Sequence, residues 1–265
     1  MNPRSFNRQK FELQYLRPDW PLPPGVESIV TTCQGQPSGT SGKLLNALDD
    51  SAECRQQVAR NRSDLAVQWR LTQPLPWLIQ EHGIRVVDAS ELVQQKSPPR
   101  ADACVSREPG RACVIQTADC LPVLLCNDEG TVVAAAHAGW RGLVAGVLRT
   151  TVTAMGGEAA AISAYLGPAI SQQHFEVGGE VRAAFLAGAQ GADQLLTEAC
   201  FVRAKTRPGY FYADLYQLAR IQLRGLGVRR IYGGNYCTYA DAEHFYSYRR
   251  QGQTGRMASL IWMAA

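Results

Sequence analysis

Two apolar runs joined by a short polar turn constrain the fold of this chain more than any other feature. Residues 121–126 and 131–136 are strand-like, and Asn127-Asp128-Glu129-Gly130 between them has the composition of a turn. This pattern predicts an antiparallel hairpin, and a hairpin rules out a purely parallel sheet. Because helix-like and strand-like segments are mixed along the chain, we predict a single α+β domain.

The other predicted elements follow from apolar periodicity and from turn residues. Further strands are predicted at residues 26–32, 77–80, 84–87, 112–116, 161–166, 230–233 and 258–263. Helices are predicted at residues 50–69, 143–155, 179–186 and 214–226, with Ser51 and Asp214 as N-caps of the first and the last. Residues 1–10 are expected to be frayed, and the Gly-, Ser- and Pro-rich residues 35–42 to form an exposed loop.

Charge and hydropathy exclude several function classes. The net charge is only +4 over 265 residues, and no basic stripe with interleaved aromatic residues is present, so nucleic-acid binding is not expected. No apolar run approaches the roughly 20 residues of a membrane-spanning helix. The first ten residues lack the apolar core of a secretory signal. We therefore expect a cytoplasmic protein that does not enter a membrane.

The cysteines give no closed metal or redox motif. The sequence has eight, and none of them forms a CxxC pair, which excludes a zinc ribbon or a thioredoxin-type motif. In a cytoplasmic chain of this size most should be reduced, and several lie in apolar runs as small core residues. Any functional cysteine has to be identified by its neighbours.

Three residues at strand ends form a candidate metal site. His82 and His137 each lie next to a strand candidate and close to glycine, and Cys120 lies at the break between two apolar strands. Two nitrogen ligands and one sulfur ligand with an open fourth position are typical of a catalytic zinc, and Asp102 or Asp119 would orient a ligand. From the spacing alone, the alternative of hydrogen-bonded structural histidines and a core cysteine stays open.

Several longer motifs resemble the YfiH family, the laccase-domain proteins that are also called polyphenol oxidases or purine nucleoside phosphorylases. The similarity extends over nearly the whole chain. Its motifs are Gln80-Glu81-His82-Gly83, Ala101-Asp102-Ala103, Thr117-Ala118-Asp119-Cys120-Leu121-Pro122-Val123, Ala135-Ala136-His137-Ala138-Gly139-Trp140-Arg141-Gly142, Leu166-Gly167-Pro168, Phe175-Glu176-Val177-Gly178, Cys237-Thr238-Tyr239, Phe245-Tyr246-Ser247-Tyr248-Arg249-Arg250 and Thr254-Gly255-Arg256-Met257-Ala258.

The resemblance implies a fold and a metal. The fold would be a single domain with two mixed β-sheets flanked by helices, distantly related to cysteine hydrolases. Residues 25–265 would form the YfiH-like catalytic domain, and residues 1–24 an N-terminal extension packed on it. The family motifs place a zinc ion on His82, Cys120 and His137, with copper as the alternative metal.

The resemblance also implies an activity and its substrates. The reaction would be phosphorolysis of adenosine, inosine or methylthioadenosine to the free base and ribose 1-phosphate, with adenosine deamination as a further activity. We assign catalytic roles to Cys120, His137 and Arg141. Substrate contacts are assigned to Arg141, Asp119, Arg249 and Tyr248. Arg250 and Arg256 are further anion candidates, and Phe245 is a further candidate for purine stacking; surface salt bridges and core packing are the alternatives for such residues.

Two positions depart from the family pattern. The family usually carries an arginine in a TTRxGG segment, whereas this chain has Cys33 at that position. If that arginine binds substrate or phosphate, this protein lacks it. Glu81 replaces the usual apolar residue beside the first ligand. His174 and His244 are expected to be structural or surface residues.

Two other functions compete with the phosphorylase. A copper-dependent polyphenol oxidase of the multi-copper type needs a histidine-rich oxygen-reducing cluster, which four histidines cannot supply. A Cys–His hydrolase would use Cys120 as nucleophile with His137 or His82 as base, and would fit a role in quality control of peptidoglycan precursors. Metal content separates these hypotheses, because zinc on Cys120 removes the free nucleophile. The sequence does not fix the oligomeric state, and a monomer is expected.

Overall fold

The computed structural model describes residues 11–12, 15–34, 52–71, 73–94, 97–189 and 191–265. They form three β-sheets flanked by helices, which confirms the predicted single α+β domain. The strands are β1 (Phe11–Glu12), β2 (Tyr15–Leu16), β3 (Val26–Thr31), β4 (Val86–Asp88), β5 (Ala103–Ser106), β6 (Cys113–Thr117), β7 (Leu121–Asn127), β8 (Val133–Ala138), β9 (Ile162–Leu166), β10 (Glu176–Gly178), β11 (Phe201–Arg203), β12 (Tyr210–Ala213), β13 (Arg230–Gly233) and β14 (Met257–Met263).

Seven α-helices accompany the strands in the described part of the chain. They are α1 (Ala52–Gln68), α2 (Trp140–Ala145), α3 (Val147–Met155), α4 (Gly179–Gly188), α5 (Ala192–Ala199), α6 (Leu215–Gly225) and α7 (Tyr248–Gln251). Short 3₁₀ turns cover Ala89–Gln94 and Ala159–Ala161. Asp214 caps α6 as predicted, because its side chain accepts a hydrogen bond from the Gln217 amide.

The predicted hairpin forms the centre of a six-stranded mixed sheet with the order β13-β9-β7-β8-β5-β4. Strands β7 and β8 pair antiparallel, with Leu124 opposite Ala135, whereas β13 runs parallel to β9 and β4 parallel to β5. Alternate residues face opposite sides, as the pleat requires. Leu125 packs towards the helices, and Leu124 packs towards the second sheet. The sheet is therefore buried on both faces.

The second sheet has five strands in the order β1-β2-β3-β14-β6 and is antiparallel throughout. Its inner face supplies Ile115 and Ile261 to the core that it shares with the mixed sheet. Its outer face packs Trp262 together with Leu65 of α1. The layers are thus helices, mixed sheet, antiparallel sheet and α1.

Several expected elements differ in detail from the observed ones. The predicted helix at residues 143–155 is divided into α2 and α3 at Gly146, whose left-handed φ of +99° ends α2 and precedes α3. Residues 77–80 form only one isolated bridge, between Ile79 and Arg100. The family pattern implied two mixed sheets, and the structure has one mixed sheet, one antiparallel sheet and a small third sheet, β10-β12-β11. Residues 1–10, residues 35–42 and Ser51 lie outside the described residues.

No helix in the described part of the chain is long and apolar enough to span a membrane. The seven cysteines whose surroundings are described are free thiols. This agrees with the expectation that most cysteines are reduced.

The core position of Leu125 predicts a large loss of stability on truncation. Leu125 is fully buried on the helix side of the mixed sheet, whereas the side chain of Leu195 on α5 is 73% exposed. We expect Leu125→Ala to lower the free energy of unfolding by about 2–5 kcal/mol. The same substitution at Leu195 should change it by less than about 0.5 kcal/mol. Urea unfolding of both variants tests this, and equal losses at the two positions would contradict the assigned core.

Candidate metal centre

The sheet topology brings the three candidate ligands to one edge of the mixed sheet. His137 lies near the end of β8, and Cys120 immediately precedes β7; the pairing of Leu121 with Ala138 places these two strand ends side by side. His82 precedes β4, whose start lies at the same edge because Val86 pairs with Ala103 and Ala103 pairs with Ala136. One potential ligand atom from each residue lies within 4.8 Å of the other two.

The spacing of these atoms fits a tetrahedral metal ion. The Cys120 Sγ atom lies 3.6 Å from His82 Nε2, and the rings of His82 and His137 are 4.8 Å apart at 67°. A tetrahedral zinc ion bound by sulfur at roughly 2.3 Å and by nitrogen at roughly 2.1 Å separates the two atoms by about 3.6 Å. Three protein ligands leave one position for water or substrate. Among the described residues this is the only group of three or more histidine, cysteine or acidic side chains so placed.

The buried carboxylate of Asp102 orients both histidines. Its Oδ1 lies 2.8 Å from His137 Nδ1, which leaves Nε2 of that ring to face the cluster. The same carboxylate accepts hydrogen bonds from the backbone amides of His82 at 2.9 Å and Gly83 at 2.7 Å. These bonds hold His82 at a φ of +61°, which is uncommon for a residue other than glycine. Asp102 is thus the partner that ligating histidines require.

The electrostatics of the cluster favour a thiolate beside an imidazolium when no metal is bound. Burial raises the pKa of Cys120, but the charge of His137 and hydrogen bonds from both histidines outweigh this effect and lower the pKa to about 6. Burial lowers the pKa of His137, but Cys120 and Asp102 reverse this and raise it to about 9. Burial also opposes ionisation of Asp102, yet its hydrogen bonds keep the pKa of that carboxyl below its usual value. A metal ion would therefore displace a proton from His137 and meet a sulfur that is already ionised.

Two glycines after His137 let the following turn approach the ligands. A Cβ atom on Gly139 would lie 2.7 Å from His82 Cδ2 and 3.0 Å from Cys120 Sγ. A Cβ atom on Gly142 would lie 2.9 Å from the carbonyl oxygen of Gly83. The start of α2 can therefore close over the cluster only with glycine at these positions.

Asp119 has a different environment from Asp102. Its side-chain oxygens accept hydrogen bonds from Thr238 Oγ1 at 2.6 Å, Ser247 Oγ at 3.0 Å and the Arg249 backbone amide at 2.6 Å. The residue is buried, with a φ of +92°. Of the two carboxylates predicted to orient a ligand, Asp102 contacts the candidate ligand His137. Asp119, next to Cys120, instead binds residues 238–250, which we call the C-terminal segment.

The arginine and tyrosine side chains assigned to substrate are exposed, in contrast to the further candidate Phe245. Arg141 is exposed, and its guanidinium lies 4.4 Å from the centre of the Trp140 ring. Arg249 is exposed and donates a hydrogen bond to the carbonyl of Glu176. Tyr248 is also exposed, whereas Phe245 is fully buried and is a core residue. Phe245 is therefore not available to stack on a purine.

The two further anion candidates, Arg250 and Arg256, differ from the exposed arginines in their side-chain contacts. Arg250 donates hydrogen bonds to the carbonyls of three residues of the C-terminal segment, Thr238, Tyr239 and Phe245, and so has a structural role. Burial lowers the pKa of Arg256, and the negative charges of Cys120 and Asp119 oppose that shift. Arg256 is partly buried, and its guanidinium donates hydrogen bonds to the carbonyls of Thr254 and Gly255.

One residue near the cluster had no assigned role from its sequence. The side-chain amide of Gln80 donates to the carbonyl of Gln116 and accepts from its backbone amide, both at 2.8 Å. Gln80 thereby pairs with the edge strand β6 and fixes the segment that carries His82. Glu81, the unusual residue beside that ligand, forms an ion pair with Arg100.

The fold and the cluster define a class of α+β protein with a His–Cys–His group suited to a metal ion at the edge of its mixed sheet. A family model described as multi-copper polyphenol oxidoreductase laccase matches residues 27–264. The chain belongs to this family, which includes the YfiH and DUF152 proteins, and the resemblance inferred from its motifs is confirmed.

Similar proteins align with almost the whole chain. A purine nucleoside phosphorylase of Pseudomonas aeruginosa is 47% identical over 249 residues, which is 94% of this chain and 98% of the relative. Purine nucleoside phosphorylase YfiH of Escherichia coli is 45% identical, with 93% and 97% covered. The crystal structure of the Neisseria meningitidis DUF152 protein NMB0706 has 43% identity and a TM-score of 0.86, with 95% of this chain and all of that chain covered.

The close approach of Gly139 predicts that a single added methyl group disrupts the cluster. Gly139→Ala should weaken zinc binding by about tenfold or more, because the new Cβ overlaps the His82 ring and the Cys120 sulfur. Gly188→Ala is the matched control, since a Cβ there meets nothing within 4 Å. Competition with a chromophoric chelator measures both affinities. Equal zinc affinity of the two variants would contradict the assigned ligands.

The shifted pKa values predict how Cys120 is alkylated in metal-free protein. Because the thiolate is the reactive form, alkylation of Cys120 by iodoacetamide should rise with pH and be half-maximal near pH 6. His137→Asn removes the neighbouring cation, so the midpoint should move towards the ordinary thiol value of about 8.5. Peptide mass spectrometry follows the reaction. Cys33, whose pKa is raised by burial, is the internal control and should react only at higher pH; a wild-type Cys120 midpoint no lower than that of Cys33 would refute the assignment.

Proposed function

We propose that this protein is a zinc-dependent purine nucleoside phosphorylase that converts adenosine, inosine or methylthioadenosine to the free base and ribose 1-phosphate. The observation that carries the proposal is the His82, Cys120 and His137 cluster with one open position, oriented by Asp102. The proposal is supported by relatives that are named purine nucleoside phosphorylases and that align over more than nine-tenths of the chain.

Zinc fits the described residues better than the copper centres of a laccase. Two imidazoles and one thiolate suit zinc, but they also resemble the ligand set of an electron-transfer copper. A multi-copper oxidase needs a second, histidine-rich cluster to reduce oxygen. The other two histidines, His174 and His244, lie in separate local networks with Cys237 and Asp241. We therefore assign the site to one zinc ion, with a single copper as the alternative metal.

In phosphorolysis a phosphate oxygen attacks C1′ of the ribose while the bond from C1′ to the purine nitrogen breaks. The protein must therefore hold a phosphate next to the open side of the cluster. Three arginines are the candidates for this role: Arg141 at the start of α2, Arg249, whose backbone amide binds Asp119, and the partly buried Arg256. Guanidinium groups bind phosphate through paired hydrogen bonds, so these arginines would orient the nucleophile. The exposed Tyr248 ring is available to a purine base, and Asp119 fixes the backbone that carries Tyr248 and Arg249.

Adenosine deamination would be a further activity of the same site. His82, Cys120 and His137 would hold the zinc ion, which would lower the pKa of water to about 7 and so provide the nucleophile for hydrolytic deamination. The residues of the chain would again position the ribose and the base. Phosphate dependence separates the two reactions, since deamination consumes only water.

A Cys–His hydrolase is the second candidate. Its support is the thiolate and imidazolium pair of Cys120 and His137, with Asp102 as the third group that orients the base. A peptide bond of a peptidoglycan precursor would be the substrate in that case. The two functions exclude each other at this site, because a zinc ion on Cys120 removes the free nucleophile.

The same proposal includes the location of the protein, its partners, its oligomeric state and its domain bounds. We place the enzyme in the cytoplasm, with a purine nucleoside and phosphate as its partners, as a monomer that binds neither nucleic acid nor membranes. Residues 1–24 are taken as an extension on the catalytic domain of residues 25–265. Sedimentation of the purified protein tests the monomer directly.

Metal content and inosine turnover together test the function. The purified protein should carry about one zinc ion per chain and release hypoxanthine from inosine only when phosphate is present. Cys120→Ala should lose both the metal and at least about 99% of the turnover. Cys33→Ala is the matched control and should keep both, because the Cys33 sulfur faces backbone carbonyls and lies outside the cluster.

Two outcomes would reject the phosphorylase. Zinc-replete protein that releases no hypoxanthine in phosphate would sink it outright. If metal removal left catalysis of peptide hydrolysis intact while Cys120→Ala abolished it, the hydrolase would be the function. Loss of activity on metal removal, with recovery on adding zinc but not copper, would identify the working metal.

A further inference from the structure

A second cysteine and histidine pair lies in the loops that follow β9 and β13. The Cys237 Sγ atom lies 3.5 Å from His174 Nδ1 and 3.0 Å from Ser171 Oγ. The His174 ring is stacked on Tyr239, with ring centres 4.6 Å apart at 24°. All four side chains are partly exposed. None of them belongs to the His82, Cys120 and His137 cluster.

The Cys237 sulfur is surrounded by hydrogen-bond donors. The backbone amides of Ser171 and Ala240 each point at it from 3.4 Å, and the Ser171 hydroxyl donates to it as well. Donors fixed in this way stabilise the negative charge that a sulfur carries when it loses its proton or attacks. The imidazole of His174 is within reach to take that proton. The stacking on Tyr239 fixes the plane of the ring, so the base is held in place.

Cys33 provides the opposite arrangement within the same chain. It is also partly exposed and free, but its sulfur faces two carbonyl oxygens, that of Glu243 at 3.3 Å and that of Ala242 at 3.9 Å. Carbonyl oxygens accept the thiol proton and disfavour charge on the sulfur. The two cysteines therefore differ mainly in the groups around the sulfur. Hydrogen-bond donors surround the Cys237 sulfur, whereas carbonyl acceptors face the Cys33 sulfur.

We propose that Cys237 is a second nucleophilic thiol, which His174 activates as a base and which the donors of Ser171 and Ala240 stabilise. It would react with small soft electrophiles, namely hydroperoxides and activated alkyl carbons. With an alkyl halide, a sulfur electron pair forms the bond to carbon, the halide leaves with its bonding electrons, and the thiol proton passes to His174 Nδ1. With a hydroperoxide, the sulfur takes one oxygen and is oxidised to the sulfenic acid, while the O–O bond breaks and the other oxygen leaves as water or an alcohol.

Modification of Cys237 would affect the edge of the mixed sheet at which the His82, Cys120 and His137 cluster lies. The next residue, Thr238, donates the hydrogen bond to Asp119, and Asp119 precedes Cys120. Tyr239, two residues after Cys237, supplies one of the carbonyls that hold Arg250. A group added to the Cys237 sulfur would displace the Ala240 amide within this same turn.

The test measures the alkylation rate of each cysteine in the zinc-loaded protein. Iodoacetamide labelling at neutral pH, resolved by peptide mass spectrometry, should show Cys237 reacting about tenfold or more faster than Cys33. In denaturant the rates of Cys237 and Cys33 should become equal. This would show that the difference in the native protein comes from the folded structure and not from neighbouring residues in the sequence. The readout uses no catalytic turnover, so it stands whether or not the protein is a phosphorylase.

Three variants test whether His174 and Ser171 cause the high reactivity of Cys237. His174→Gln should slow the Cys237 reaction by about tenfold, and Ser171→Ala should slow it by a smaller factor, because only the hydroxyl donor is lost. Tyr239→Phe is the matched control, since it keeps the stacked ring, and should leave the rate unchanged. Treatment with hydrogen peroxide followed by dimedone should label the same residue.

Three results would overturn the proposal. One is a Cys237 rate in the native protein no higher than that of Cys33. Another is an unchanged Cys237 rate in His174→Gln when thermal unfolding shows that the variant is folded. Dimedone labelling of Cys33 in preference to Cys237 would count against it in the same way.

Discussion

The hydrogen bonds of the buried Asp102 carboxylate are the interactions on which the candidate metal centre depends. Asp102 joins three parts of the chain, because it precedes β5, binds the His137 ring at the end of β8 and accepts the amides of His82 and Gly83. A carboxylate at 1% exposure is costly to bury unless its oxygens are fully bonded. Here four donors satisfy it, since the Glu81 amide adds a fourth at 3.1 Å. The same bonds that offset the cost of burial also fix the ring of His137 and the strained backbone of His82.

The sheet explains why this arrangement occurs at one edge. Strands β7 and β8 are antiparallel, so the start of one adjoins the end of the other, and β5 and β9 place their near ends at the same edge. The C-terminal segment closes this edge from the other side. Asp119 binds its Thr238 and Ser247 hydroxyls, and Arg250 binds its carbonyls. The candidate ligands are thus flanked by segments that are far apart in the sequence.

Local sequence was sufficient for the elements with strong periodicity. The hairpin, strand β13 and the cap of α6 by Asp214 were predicted from a few neighbouring residues, because turn chemistry and alternation act over short distances. The division of the helix at Gly146 was missed, because an isolated glycine is tolerated in many helices and only its left-handed φ breaks this one. The small sheet of β10, β12 and β11 was missed because its short strands depend on each other for pairing.

For the site, the sequence determined the donor chemistry. It offered four histidines and one cysteine between two strands, and with the family motifs it selected His82, Cys120 and His137. Only the tertiary structure decided that Asp102, not Asp119, bonds a histidine of the group, that Phe245 is buried and that Arg250 binds backbone carbonyls. It also brought Cys237 beside His174, 63 residues apart along the chain. Residue type and spacing specify which atoms are available, but distances between remote segments arise only when strand pairing and burial bring those segments together.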